Sequence, residues 1–409
     1  MFLRQTSAML LDAYRELNAK KLFWFTVALS TLVAAAVACV GLNDRGFTIL
    51  WWTISADIFN TKYVSPAAFY KLVFVQLGLK LWLTWIAAIL ALVSTSSIIP
   101  DFVASGSIDL SLSKPIGRLR LFLTKYFTSL MFVTLQVTLF TLACFLIIGL
   151  RGKLWAPTVF LAIPLVVLFF SYLYCVCALV GLVTRSTIAS LLITMLFWFI
   201  LFVLNSGEQA VRTFQYSAEL QLATAEKQAA PLADQVSKAK AKVEQLQIAP
   251  ERETPDDMKT RLSDLATEQA RLAGLELRQQ KKESSVKELR TSFDTLTLWH
   301  RGLYAVKTVL PKTAETMTIL ERNLHSLDDM AAFREAEEKR VEERREARRQ
   351  QRGAKPDDDE SPREARELAD RTIEAELQNR PLWWVLGTSI AFEIVVLGLA
   401  CAIFSRRDF

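Results

Sequence analysis

Two ionisable side chains stand inside stretches that are otherwise too apolar for them. Glu393 lies near the middle of the run 382–404, and Lys80 lies in the outer part of the run 73–98. At the centre of a bilayer such a group costs about 2.5–3.5 kcal/mol on insertion scales, so it needs a partner, a water-filled cavity or neutralisation. Glu393 has two readings: a carboxylate that lines a path or pairs with Lys80, or a protonated acid hydrogen-bonded to Ser or Thr. Lys80 either pairs or runs its ammonium outward along the bilayer. Other chemistry is sparse. Cys175-Val-Cys177 offers two thiols, but no histidine or third ligand stands nearby, and cysteine packs well as a small apolar residue. His300 and His325 have no nucleophile or ligand partner at motif spacing. No Gly-x-x-x-x-Gly-Lys-Ser/Thr occurs, and Gly149-Leu-Arg-Gly152-Lys153 lacks the spacing. The chain is therefore expected to be no enzyme, with no catalytic residue, cofactor or metal of its own.

The elements that would position these residues are membrane helices. Runs of about twenty apolar residues are the signature of a span. Six are read, over 22–42, 73–98, 121–150, 155–183, 188–204 and 382–404. The 20 or so residues before the first are amphipathic, with Leu3, Leu10, Tyr14 and Leu17 on one face. They fit an interfacial helix, not a removable signal peptide. Charge places the ends. Residues 205–381 carry 31 of the 48 Lys and Arg and 34 of the 42 Asp and Glu, so that block is nearly neutral. The remaining excess sits in Arg4, Arg15, Lys20 and Lys21, in Arg185, and in Arg406 and Arg407. By the positive-inside rule both termini are cytosolic, and the charge points to no nucleic-acid surface. Between 43 and 70 an outside loop holds Trp51, Trp52, Phe59, Tyr63 and Phe69; its apolar part, 47–54, is too short to span and is expected to be interfacial or re-entrant.

After residue 204 the character changes. Leu222, Ala229, Val236 and Val243 repeat every seven residues, in step with Ala225, Leu232, Ala239 and Leu246. That is an a/d seam. Pro250 and Pro255 must break it. A second stretch, 258–297, carries Leu262, Leu265, Leu272, Leu275, Val286, Leu289, Phe293 and Leu296, but its middle, 278–285, reads as too polar for a continuous seam. Two such helices of about forty residues, rising about 1.5 Å each, would form an antiparallel hairpin roughly 60 Å long. The expected fold is all-α: a polytopic membrane protein of six transmembrane helices plus an extracytoplasmic antiparallel coiled-coil hairpin. Its expected parts are an interfacial helix over 1–21, helices one to five over 22–204, the outside block over 205–381, and helix six with a cytosolic tail over 382–409.

The segment between the second and third runs is Gly106-Ser-Ile-Asp-Leu-Ser-Leu-Ser-Lys-Pro-Ile-Gly-Arg118. Leu110, Leu112 and Ile116 make a small apolar face beside Lys114, Arg118, Arg120 and Lys125, which suits a short surface helix at a cytosolic edge. This segment resembles the cytosolic coupling loop of ABC transporter permeases of the type-2 class. The Leu310-Pro311 pair and the closing Phe404-Ser-Arg-Arg-Asp-Phe409 are similar to that family as well. Pro100-Asp101 departs from the charged pair usual before the loop's glycine, and the long insertion between spans five and six is not a family feature.

The resemblance implies a membrane-spanning permease subunit of an ATP-driven exporter in a bacterial inner (plasma) membrane. A separate ABC ATPase, carrying ATP and magnesium, would dock on residues 100–120 through Gly106, Asp109, Ser113, Lys114, Pro115 and Arg118. Arg406, Arg407 and Asp408 would form the cytosolic tail. A second permease copy or a paralogue, membrane lipid, and an extracytoplasmic protein on the coiled coil are the other partners implied. The alternative is a membrane-anchored coiled-coil scaffold that moves no substrate.

Overall fold

The computed structural model describes residues 21–55, 61, 64–104, 117–248, 254–324, 339, 343, 372, 376 and 380–406. The interfacial helix expected before residue 21 and most of the segment between the second and third spans, with Gly106, Asp109, Ser113, Lys114 and Pro115, lie outside the described residues. So do His325, Arg407 and Asp408.

The described chain is mostly helical, and six helices are long and apolar enough to cross a membrane. Helix α1 is Lys21–Cys39. It buries Phe23, Thr26, Ser30, Ala34 and Val37, a one-sided stripe at three- and four-residue spacing. The second span covers Pro66–Val103 and is longer than the apolar run that signalled it. It opens with α2, Pro66–Val73, where Ser65 accepts a hydrogen bond from the Ala68 amide at 3.1 Å and Pro66 occupies the first turn. A π-helical segment follows, Phe74–Ala87, then α3, Ala88–Thr95, and α4, Ile98–Ala104. The third span is α5, Arg118–Gly152. A 3-10 turn at Pro157–Leu161 leads into α6, Ala162–Thr184. Next come α7, Thr187–Gln247, and α8, Pro255–Val309. Helix α9 is Thr313–Leu324, and a short π-helical turn, Trp383–Gly387, precedes α10, Thr388–Arg406.

One expectation is corrected. The fold was expected to be all-α, and the stretch 47–54 instead lies in strands. Strands β1, Val40–Asn43, β2, Gly46–Ile49, and β3, Trp52–Ser55, form an antiparallel sheet. Phe47-Thr-Ile-Leu-Trp-Trp-Thr-Ile54 is built of aromatic and β-branched residues, which favour a pleated strand over a helix. Asp44-Arg45 and Leu50-Trp51 supply two-residue turns, with Leu50 left-handed at φ 57°.

The described residues fall into two compact units. The first holds 21–205 together with 306–324 and 380–406, so part of the polar block expected over 205–381 folds with the apolar helices. Its core is aromatic: Phe122, Tyr126, Phe132 and Phe140 of α5 and Phe169, Phe170, Tyr172 and Tyr174 of α6 are all fully buried. Close helix contact is set at Gly149, where a Cβ would stand 2.4 Å from the Trp155 ring, and at Gly181, where it would stand 3.0 Å from Pro100.

The second unit contains residues 206–247 of α7 and 255–305 of α8. Gln215 bonds Thr297 at 2.9 Å, Arg290 bonds Glu226 at 3.0 Å, Lys240 pairs with Glu276 at 3.0 Å and Lys242 with Glu268 at 2.6 Å. As one number rises the other falls, so the helices are antiparallel. From Leu222 to Leu246 the less exposed positions on α7 recur at alternating three and four residues, through all eight residues expected in the seam, whereas between Glu208 and Leu220 most positions are less exposed. On α8 the same spacing runs from Arg261 to Leu303, without a gap at 278–285, where Gln279 and Lys282 take the inward places. Lys242 holds the Glu268 carboxyl below the usual carboxylate range, chiefly by hydrogen bonding and helped by Arg271. Pro231 lies on an exposed position of α7, where its missing N–H costs one helix bond.

Candidate functional site

Glu393 of α10 is half-buried against α5 and α6. The Tyr126 hydroxyl donates to its Oε1 at 2.8 Å, and the Ser171 hydroxyl stands 2.9 Å from its Oε2. Both oxygens are thus engaged by neutral groups. Each hydroxyl also faces a backbone acceptor, the Ser171 carbonyl at 3.2 Å for Tyr126 and the Leu168 carbonyl at 2.8 Å for Ser171. The arrangement serves either protonation state without moving heavy atoms. An ionised carboxylate accepts from both hydroxyls. A neutral acid donates to Ser171 Oγ while Ser171 turns its proton to Leu168. The site can therefore take up or release one proton inside the helix bundle.

The polar contacts extend sideways from there. Tyr126 packs on Tyr174 with ring centroids 5.3 Å apart. Ser129 donates to the Tyr174 hydroxyl at 2.6 Å, and that hydroxyl faces the Thr95 carbonyl of α3 at 3.5 Å. The two hydrogen-bonded groups meet at the Tyr126–Tyr174 ring contact. Lys80 does not join this group. It pairs with Glu321 of α9 at 3.2 Å, with its side chain half exposed.

A second cluster lies where α8, α9 and α10 meet. Glu315 is buried and takes Lys307 and Arg380, the latter at 3.1 Å. Lys307 also donates to Asn205 Oδ1 at 2.7 Å. Lys312 is 1% exposed; its ammonium bonds the Thr308 and Leu310 carbonyls at 2.7 and 3.1 Å and sits 4.8 Å above the Trp384 ring. Its backbone amide donates to Ser389 Oγ at 2.9 Å. Burial pushes the Lys312 ammonium down to about 8, with Lys307 and Arg380 lowering it further and Glu315 opposing them. A recess lined by Leu201, Leu204, Asn205, Lys307, Pro311 and Glu315 opens beside the cluster.

Of the residues expected to meet an ATPase, Arg118 is described. Its Nη1 donates to the Ser405 carbonyl at 3.3 Å. Beside it, Phe404 is fully buried between Phe122, at 5.5 Å between centroids, and Phe102, at 6.3 Å. The Lys125 ammonium lies 5.7 Å from the Phe102 ring. The two ends of the loop expected to couple are therefore held together by the end of α10. Arg406 is exposed next to them.

Reading the sequence for ionisable residues in apolar runs found Glu393 and Lys80 but missed their partners. Tyr126 and Ser171 carry no charge and read as ordinary span residues. Lys307, Lys312 and Glu315 stand in a polar block, where charges read as solvated; the nearby Pro311 was the available signal that the chain turns back there. Cys144, Cys175 and Cys177 are buried free thiols in the helix core. No family model, no curated protein and no solved structure matches this chain.

Proposed function

We propose that this chain is the membrane-spanning permease subunit of an ATP-driven exporter, coupled through residues 100–120 to a separate ATPase of the ABC type. The observation that carries the reading is the segment Gly106–Arg118, whose residue types resemble a type-2 coupling loop and whose flanks, Phe102 and Phe122, clasp Phe404 of the last helix. A push on the loop would then be felt by the second, third and sixth spans together. The Lys and Arg distribution supports cytosolic termini and puts the block after residue 204 outside. On this reading the antiparallel helices of the second unit form an extracytoplasmic coiled coil that recruits a partner or senses cargo. Two membrane subunits, identical or paralogous, would complete the transporter.

The uninterrupted three-four spacing of the second unit favours a second reading, a membrane-anchored scaffold in which the paired helices do the work. One experiment separates them. The chain is co-expressed with a candidate ATP-binding cassette protein and purified through its own tag, as wild type and as Lys114→Glu/Arg118→Glu. Permease function predicts that the ATPase follows the wild type and is lost with the double variant. An ATPase that never follows the wild type under mild extraction favours the scaffold.

A further inference from the structure

The antiparallel sheet has one polar end and one apolar end. Its β1–β2 turn is Asp44-Arg45, and its β2–β3 turn is Leu50-Trp51. At the second turn Trp51 is 77% exposed and Trp52 73%, with Ile49 and Leu50 exposed beside them. Two-residue turns between strands favour glycine or asparagine where φ is positive, yet Leu50 holds that place at φ 57°. A bulky apolar residue in the left-handed region costs conformational energy, and such outliers cluster where the side chain has a use.

The pairing register decides which end meets a bilayer. Strand β1 follows α1 directly, and Val40 pairs with Ile49, so the Leu50-Trp51 turn doubles back to the end of α1. The Leu50 amide donates to the Cys39 carbonyl at 2.9 Å. Two further spans meet the sheet at this end. The Tyr70 hydroxyl, from the start of the second span, donates to the Val40 carbonyl at 2.9 Å. A Cβ on Gly41 would stand 3.9 Å from Nη1 of Arg151, at the end of α5. This end of the sheet is therefore level with the ends of three spans. Helix α1 has 19 residues and at about 1.5 Å each reaches about 28 Å, close to the roughly 30 Å of a hydrocarbon core. It needs its whole length to cross, so Cys39 stands at the edge of the hydrocarbon, and Leu50 with it. Asp44 and Arg45 lie about 10 Å further along the strand. Leu42 and its cross-strand partner Phe47 pack on the helix core, so the bundle takes one face of the sheet and leaves the 50–52 turn uncovered.

We propose that the Leu50-Trp51 turn is a wedge that inserts Leu50, Trp51 and Trp52 into the lipid leaflet at the end of α1, while the Asp44-Arg45 turn stays in water. The partner is lipid because the turn stands at the depth where headgroups meet acyl chains, the layer that tryptophan favours. The inference rests on α1 crossing a bilayer and not on the transporter reading. A nitroxide on one introduced cysteine reports its surroundings in the full chain, reconstituted into phosphatidylethanolamine–phosphatidylglycerol vesicles. Oxygen, which concentrates among acyl chains, and a water-soluble nickel chelate each relax the label. Cys39→Ser/Cys401→Ser removes the two partly exposed native thiols and leaves three buried ones. Labels are placed at Trp51→Cys, at Arg45→Cys, and at Leu32→Cys on the exposed face of α1 as the reference in lipid. The oxygen-to-nickel ratio at 51 is expected to exceed that at 45 by about fivefold and to approach that at 32. Trp52→Cys should read the same and serves if Trp51→Cys elutes as aggregate. Equal ratios at 51 and 45 overturn the wedge. So does a label at 51 that neither reagent reaches, which would set the turn against protein, such as a second copy of the chain. A label at 32 that nickel reaches as freely as the one at 45 overturns the span itself, and the wedge with it.

Discussion

Glu393 illustrates how a single ionisable residue is tolerated among apolar helices. Its carboxyl is satisfied by two hydroxyls from two other helices, each of which has a backbone carbonyl as a second acceptor. Glu393→Leu should therefore remove two hydrogen bonds without stranding either hydroxyl, at a cost of about 0.5–1.5 kcal/mol for each bond, and should lower the thermal unfolding midpoint of the purified chain. Glu393→Gln keeps an acceptor and a donor in place, so insertion into the membrane and a monodisperse elution profile should survive. If the site takes part in transport, the glutamine variant should nonetheless lose the ATPase stimulation of the assembled complex, because the amide cannot exchange a proton there. Lys312 makes a different prediction. Its proton leaves near pH 8 in the folded chain but near the ordinary lysine value of 10.5 when unfolded. Between those values the unfolded chain binds more protons, so stability rises with pH across the window and levels off above it. In paired unfolding scans at about pH 7.5 and 9.5 the wild type should gain on Lys312→Met; equal shifts in both would remove Lys312 as the cause.

At the scale of elements, the paired helices of the second unit rest on a narrow seam that is rich in alanine on α7. Small side chains bring the helices close but bury little area each, so the seam depends on its few larger members. Val236 and Val243 are the most buried of them. Val236→Asp should cost about 2–4 kcal/mol by placing a charge in that seam, whereas Gln235→Asp, one residue away on the exposed side, should cost almost nothing. Limited proteolysis of the full chain reads this directly: cleavage within 206–305 should accelerate in the first variant only. The seam was legible on α7 because apolar residues marked it. On α8 the sequence suggested an interruption at 278–285, yet the spacing of less exposed positions continues through Gln279 and Lys282. Long polar side chains can lie along a helix with their stems inward and their heads in water, a choice that only a facing helix decides.

For the whole molecule, the six apolar helices follow from the hydropathy of runs long enough to cross a bilayer, and each stands where its run stands. Their lengths do not follow. The second span begins seven residues before its apolar run because Ser65 and Pro66 start a helix that the π-helical segment then continues. Nor was the sheet over 40–55 legible, since an apolar stretch of eight residues carries no period that separates a strand from a buried helix. If the loop before Arg118 couples to an ATPase, the clasp on Phe404 should matter as much as the loop. Phe404→Ala should empty an aromatic pocket at a cost of about 3–5 kcal/mol and weaken ATPase co-purification even with Lys114 and Arg118 intact. Co-purification at the wild-type level would mean that the last helix takes no part in docking.

What the sequence by itself determined is the presence and number of apolar helices long enough to cross a membrane, the polar block between the last two, and the seven-residue repeat. All of these are one-dimensional properties: run length, period and the sign of charge. What only the tertiary structure decided is which side chains answer one another: Glu393 with Tyr126 and Ser171, Lys80 with Glu321, and Glu315 with Lys307 and Arg380. Partners such as Tyr126 and Glu393 lie 267 residues apart. Their contact depends on helix packing and rotation, which hydropathy does not encode, because an apolar helix in a bilayer can turn any face inward at little cost in burial and is oriented by the shape of its neighbours.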